Sequence, residues 1–284
     1  MARSFLTEQN NANMNDKKVV IITGAAGGIG FATAKKFAEH NYCITLADIN
    51  VDGLKLVQEH LEKEYKANCH ICHGNLMDLN YVKGIVAESM RKWGQIDTLI
   101  NNAVWRTVET MRTISLENWD KALRINLTAP AFLAKYAAAE MEAKKIKGVI
   151  INISSVMAHN AAGYSPAYIT AKGGIESLTY ELAALYGPKE IRVVGVSPGN
   201  IETSLSNDYR DQEGNNLSET MKNVVNDKTP LGRGGRPEEI ANVCYWLSSP
   251  EASFITGTNI LVDGGFLHNF NSYEIKRMQF PKQF

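Results

Sequence analysis

KVVIITGAAGGIGFATAKKFAEH, residues 18–40, places three patterns end to end. Residues 18–23 are a β-branched apolar run, the pattern of a strand buried on both faces. Gly24, Gly28 and Gly30 follow at G-x-x-x-G-x-G spacing, and Ile29, Ala32 and Phe37 then recur at helical intervals. A strand that passes into a helix through glycines brings the helix N-terminal amides close to the strand end. Glycine permits the sharp turn and lets a pyrophosphate approach the backbone, and the amides meet its charge. Glycine spacing alone is a weak signal, since a tight turn without a ligand uses the same residues.

The same rhythm continues outward. Strands are expected at 42–48, 68–75, 96–103, 148–154, 191–198 and 259–265. Helices are expected at 52–65, 82–93, 116–144, 167–186 and 236–249, with a polar loop and helix over 199–228. Strict alternation with helices of this length predicts a parallel sheet covered on both faces. Right-handed crossovers make it doubly wound, so the expected class is α/β, a single-domain Rossmann fold with a seven-stranded parallel sheet. Residues 1–16 read as a disordered polar leader, 17–265 as the catalytic domain and 266–284 as an aromatic C-terminal extension. No internal repeat or domain linker interrupts the pattern.

The bulk numbers narrow the function. Thirty Lys and Arg balance thirty Asp and Glu over 284 residues, so no basic face for a nucleic acid is expected. No apolar run approaches the roughly 20 residues of a membrane helix, and the N-terminus lacks the apolar stretch of an export signal. The expected location is cytoplasmic. Four cysteines, at 43, 69, 72 and 244, are too few for a disulfide framework.

CHICHGNLMD, residues 69–78, contains C-x-x-C-H, the spacing of haem attachment. No second C-x-x-C or H-x-x-x-H offers further ligands for zinc. In a strand, Cys69, Ile71 and His73 face one side and His70 and Cys72 the other. The expectation is a buried strand with no metal.

Ligands of a doubly wound sheet bind beyond the carboxyl ends of the strands. Asp48 ends the second strand, where a carboxylate accepts hydrogen bonds from an adenosine ribose and repels a 2′-phosphate. Neither GAAGG nor Ile49 and Asn50 supplies a basic group, so NAD is preferred over NADP. Tyr168 and Lys172 are i and i+4 on one helix and share a face. A phenol titrates near 10, and a neighbouring ammonium together with an oxidised nicotinamide, both positive, is expected to lower it into working range.

The glycine spacing, NNA at 101–103, Asn126, SS at 154–155, YITAK at 168–172, SPGNIET at 197–203 and TGTNILVDGG at 256–265 together resemble the short-chain dehydrogenase/reductase family. The resemblance runs from about Lys17 to Gly265. It implies a catalytic set of Asn126, Ser155, Tyr168 and Lys172. Ser155 would bond the substrate oxygen, Lys172 the nicotinamide ribose, and Asn126 a water leading to solvent. The cofactor would lie along Gly24, Gly28, Ile29 and Gly30. Asp48 and Ile49 would stand at its ribose, Asn75 and Leu76 at its adenine. Asn102 and Ala103 would line its channel, and Pro198, Gly199, Ile201 and Thr203 would wrap the nicotinamide. Val104 departs from the family, which usually has glycine there. The family is commonly tetrameric, which implies a homotetramer.

The substrate is less legible. Trp105, Arg106, His159 and Tyr164 are candidate contacts for a small polar molecule such as a sugar, sugar acid or polyol. The polar stretch near 200–228 disfavours a steroid or long acyl chain. The extension's aromatics are expected to dock on a neighbouring subunit. The rival readings are a 3-oxoacyl-[acyl-carrier-protein] reductase and a non-catalytic NAD sensor or scaffold.

Overall fold

The computed structural model describes residues 17–207, 209–211 and 213–284. The leader expected over 1–16 lies outside the described residues. The strands are β1 (Val19–Thr23), β2 (Cys43–Asp48), β3 (Asn68–His73), β4 (Thr98–Asn101), β5 (Val149–Ile153), β6 (Arg192–Pro198) and β7 (Asn259–Val262). They form one seven-stranded sheet in the order β3-β2-β1-β4-β5-β6-β7, parallel at every pairing. The helices are α1 (Gly28–Glu39), α2 (Val51–Tyr65), α3 (Leu79–Trp93), α4 (Leu116–Leu123), α5 (Ala129–Lys144), α6 (Pro166–Tyr186), α7 (Ser218–Lys228), α8 (Pro237–Leu247) and α9 (Tyr273–Gln279).

Strand alternation divides the core into two layers. β1 is buried at every position. Val20 and Ile22 enter one layer with Phe37 of α1, Leu54 and Leu61 of α2 and Cys244 of α8. Ile21 enters the other with Ile85 of α3, Leu133 of α5 and Leu182 of α6. Phe37 is fully buried and meets Tyr42 and Tyr245 edge-on at 4.9 and 5.7 Å. Phe37→Ala is therefore expected to cost about 3–5 kcal/mol, read from urea unfolding midpoints.

The sheet order places the site. β2 leads outward from β1 to β3, while β4 leads the other way to β5, so the crevice opens where β1 and β4 end. Gly24 follows β1 and Asn102 follows β4. The Asn102 side chain donates to Thr23 O at 2.9 Å and Gly24 O at 3.2 Å, pinning the glycine turn to the next strand.

One segment differs from expectation, and a second gains contacts within its own chain. The helical stretch over 116–144 is broken by a π-helical turn, Arg124–Thr128, which holds Asn126. Such turns carry an extra residue and are frequent at functional sites. The C-terminal extension folds onto α7 of its own chain. Arg277 pairs with Asp227 at 2.8 Å, the Glu274 amide donates to the same carboxylate at 3.1 Å, and Asn269 donates to Lys228 O at 2.7 Å. Among the described residues no helix is long and apolar enough to cross a membrane.

Candidate active site

The glycine turn is built for close approach. Gly24 has φ +66, and a Cβ there would stand 2.8 Å from the Ala103 Cα. A Cβ on Gly30 would overlap the Gly24 carbonyl. Gly27 caps α1 with no side-chain hydrogen bond, so the first-turn amides of Gly28, Ile29 and Gly30 face outward without an intrahelical partner. That donor set suits a pyrophosphate.

Asp48 sits beside this turn. Its Oδ2 accepts from the Ala26 amide at 3.0 Å and its Oδ1 from the Asn50 amide at 2.9 Å. Each oxygen keeps a further lone pair for an external hydroxyl. Ile49 is exposed next to it, and the Gly74 amide bonds Asp48 O at 3.1 Å, drawing the end of β3 to the same edge. Asn75 is exposed there, with Oδ1 accepting from Met77 N at 3.0 Å, while Leu76 packs against the α3 layer. Ala103 donates its amide to Thr23 Oγ1 at 3.1 Å.

A cleft of about 390 Å³ continues from the crevice. Its walls include Ile29, Asn102, Val104, Ser155, Tyr168, Lys172, Pro198, Gly199, Ile201 and Thr203. Ser155 caps the short turn Val156–Ala158 and accepts the Met157 amide at 3.1 Å. Tyr168 and Ser155 stand together in this wall, and Ser155 favours the ionised phenol. Lys172, one turn along α6, is buried and donates to Ile153 O at 2.6 Å.

Among the protein's own groups, burial dominates the titration of Tyr168. Burial pushes the Tyr168 phenol up, opposed by Ser155 and the Arg106 charge. Lys172 is not among the groups that lower it. Its ammonium is turned to Ile153 O and lies 5.6 Å from the Tyr168 ring centroid. Burial brings Lys172 itself down to about 8, which suits proton exchange near neutral pH. The protein alone thus holds a neutral phenol, the form that donates to a carbonyl oxygen.

Asn126 is buried in the π turn, and its side chain bonds Trp105 both ways: Oδ1 accepts the Trp105 amide at 3.0 Å and Nδ2 donates to the Trp105 carbonyl at 2.6 Å.

Of the four candidate substrate contacts, the structure brings two into the cleft wall, Arg106 and Tyr164. Arg106 lies over the Tyr209 ring, 5.1 Å to its centroid, and Tyr164 meets Tyr209 edge-on at 6.1 Å. Trp105 and His159 are not in the wall. Lys121 of α4 covers the Trp105 ring at 4.5 Å, and His159 pairs with buried Glu176 at 2.6 Å. Tyr209, Met221, Val224 and Val225 join the wall and were not singled out in sequence, and Phe266, the first aromatic of the C-terminal extension, joins it too. Met221, Val225 and Lys228 repeat at intervals of four and three, the signal of one face of α7. Met221 and Val225 thus give the cleft apolar surface within the polar stretch near 200–228, beside Lys222 and Lys228 of the same helix.

The cysteine stretch lies apart from this cleft. Cys69 enters the α2 layer and Cys72 the α3 layer, both as free thiols pushed up to about 12 by burial. His70, Cys72 and Glu88 do converge within 4.8 Å. The Glu88 oxygen that meets His70 also takes Arg91 at 2.6 Å, so a guanidinium already neutralises it.

Known proteins share this architecture. A family model described as Enoyl-(Acyl carrier protein) reductase matches residues 24–267. An uncharacterized oxidoreductase of Thermotoga maritima is 36% identical over 253 residues, covering 89% of this chain and 96% of that one. The meso-2,3-butanediol dehydrogenase of Serratia marcescens is 32% identical over 250 residues, covering 88% and 94%. A crystal structure of a short-chain type dehydrogenase/reductase from Mycobacterium marinum superposes with a TM-score of 0.80 at 29% identity, covering 88% and 95%. A likeness this long, on a sheet of this order, makes the chain an oxidoreductase of the short-chain dehydrogenase/reductase family.

Proposed function

We propose that the protein transfers a hydride between a nicotinamide dinucleotide, preferentially NAD(H), and the secondary alcohol or ketone of a small polar substrate such as a sugar, sugar acid or polyol. The observation that carries this is the meeting of Ser155, Tyr168 and Lys172 in the wall of one cleft, with Lys172 one turn behind Tyr168. When bound, the dinucleotide supplies or takes the hydride. Tyr168 gives a proton to the substrate oxygen in reduction and takes it in oxidation. Ser155 donates to the same oxygen and stabilises charge growing on it. Lys172 holds the nicotinamide ribose and renews the Tyr168 proton. Gly28, Ile29 and Gly30 receive the pyrophosphate, with Gly24 shaping the turn. Asp48 takes the adenosine ribose, with Ile49, Asn75 and Leu76 beside the adenine. Pro198, Gly199, Ile201 and Thr203 close over the carboxamide.

The Asp48 carboxylate would meet a 2′-phosphate with like charge. Turnover with NADH is expected to exceed that with NADPH by more than about tenfold in kcat/KM, about 1.4 kcal/mol. Nicotinamide absorbance against a panel of sugars, sugar acids, polyols and β-keto esters tests both parts. Equal or better use of NADPH would overturn the cofactor assignment.

A second reading, a 3-oxoacyl-[acyl-carrier-protein] reductase, draws support from the apolar wall formed by Met221, Val224, Val225 and Phe266. Best turnover on the β-keto esters with NADPH would select it. Any turnover at all ends the sensor reading. The homotetramer belongs to the same proposal, and a mass in solution four times 31.4 kDa would match it.

A further inference from the structure

Glu176 lies on α6, one turn beyond Lys172 and two beyond Tyr168, and its side chain is 4% exposed. It is not in the cleft wall. Its Oε1 accepts from Ser154 Oγ at 2.8 Å and from Ser197 Oγ at 2.9 Å. Its Oε2 meets His159 Nε2 at 2.6 Å. Ser154 also points at Lys172 O, at 3.2 Å, but a hydroxyl has one proton, and the shorter bond to the carboxylate takes it.

These partners are not scattered. Ser154 precedes Ser155 at the exit of β5. His159 closes the turn that Ser155 caps, where the amides of Ala158, His159 and Asn160 bond back to Ser155 O and Val156 O. Ser197 precedes Pro198 and Gly199 at the exit of β6. One carboxylate therefore holds both ends of the Ser155 turn, the start of the nicotinamide-wrapping segment, and the helix of Tyr168 and Lys172. A buried carboxylate is not an economical way to gain stability, since apolar residues of similar volume do as well or better. Fully satisfied polar networks instead fix one geometry.

We propose that Glu176 is a positioning residue that brackets the Ser155 turn and sets Ser155 against Tyr168. The inference rests on the roles proposed above for Ser155, Tyr168 and Lys172. A misplacement of about 1 Å in such a pair can cost on the order of 10²-fold in rate. Glu176→Leu keeps bulk but no acceptor, and is expected to lower kcat by about 10- to 100-fold while KM for NADH stays within about twofold. Glu176→Gln keeps an oxygen for both serines and turns its amide to His159, so it should recover kcat to within about threefold of wild type. His159→Ala is half-exposed and cuts one strap only. It should raise KM for the carbonyl substrate by roughly three- to tenfold, because Met157 and Asn160 of that turn line the cleft.

Hydrogen exchange at the amides of Ala158, His159 and Asn160 reads the bracket without turnover. Exchange should quicken about tenfold or more in Glu176→Leu. Wild-type kcat in Glu176→Leu, or unchanged exchange at those amides, overturns the inference. If Glu176→Leu does not fold, an unchanged substrate KM in His159→Ala overturns it, and a raised KM with an active Glu176→Gln supports it. If the wild type turns over nothing on the panel while exchange still quickens, the proposed activity fails and the bracket stands.

Discussion

Replacing Tyr168 by phenylalanine is expected to lower kcat by about 10³-fold, the middle of the range for a lost general acid, while NADH binds within about twofold of wild type. The change removes one oxygen, the hydroxyl that shares the cleft wall with Ser155. The ring stays half-buried on α6, so the fold and the dinucleotide cradle beyond it are untouched. The effect falls on kcat because the proton moves only in the reaction itself. NADH affinity by fluorescence titration and single-turnover rates separate the two quantities. A fall confined to binding would move the proton-transfer role away from Tyr168.

Lys172→Met is the second large effect. It should lower kcat/KM by about 10²-fold or more, since it removes both the proton source and the ribose contact proposed for Lys172. Its stability should move the other way. Burial sets Lys172 at about 8, below its ordinary 10.5. Between those values the unfolded chain holds the proton and the folded chain does not, so rising pH favours folding through this group. Below about 8 the folded chain keeps a buried ammonium at a cost of about 3 kcal/mol. Methionine removes that cost and also the bond to Ile153 O, worth about 1 kcal/mol. Lys172→Met should therefore be at least as stable as wild type at pH 7, and should lose that relative advantage as pH rises from about 8 to 10.5. Paired urea titrations at pH 7 and pH 10 give the comparison. A variant much less stable at pH 7 would mean that Lys172 is structural.

The fold was legible because its signals are local. Val20 and Ile22 alternate with Ile21, the glycines at 24, 28 and 30 mark one turn, and Cys69 and Cys72 are three apart in a strand and so reach opposite layers. The sheet order follows from such units and from crossover handedness. The pairing of Tyr168 with Lys172 on one helix face was legible for the same reason.

What the chain does not announce is where long-range partners spend their hydrogen bonds. Asn126 bonds Trp105 because a π turn rotates it inward, and no residue type marks such a turn. Trp105 is covered by Lys121, and His159 is taken by Glu176, so neither reaches the cleft wall. Glu176 could have been found by extending the spacing from Lys172 one more turn, but a glutamate on a helix more often faces solvent. The direction of the Lys172 side chain, toward Ile153 O, is not legible in its spacing from Tyr168. The apolar side of α7 was hidden in a polar stretch because three cleft-facing residues there are diluted by exposed neighbours.

The most direct test uses NADH carrying deuterium at both C4 positions of the nicotinamide and whichever ketone or sugar of the panel turns over. The product is analysed by mass spectrometry and NMR. One deuterium per NADH consumed should appear on the carbon that bears the new hydroxyl, with transfer lost in Tyr168→Phe that still binds NADH. Product without deuterium, or undiminished transfer by Tyr168→Phe, would contradict the account.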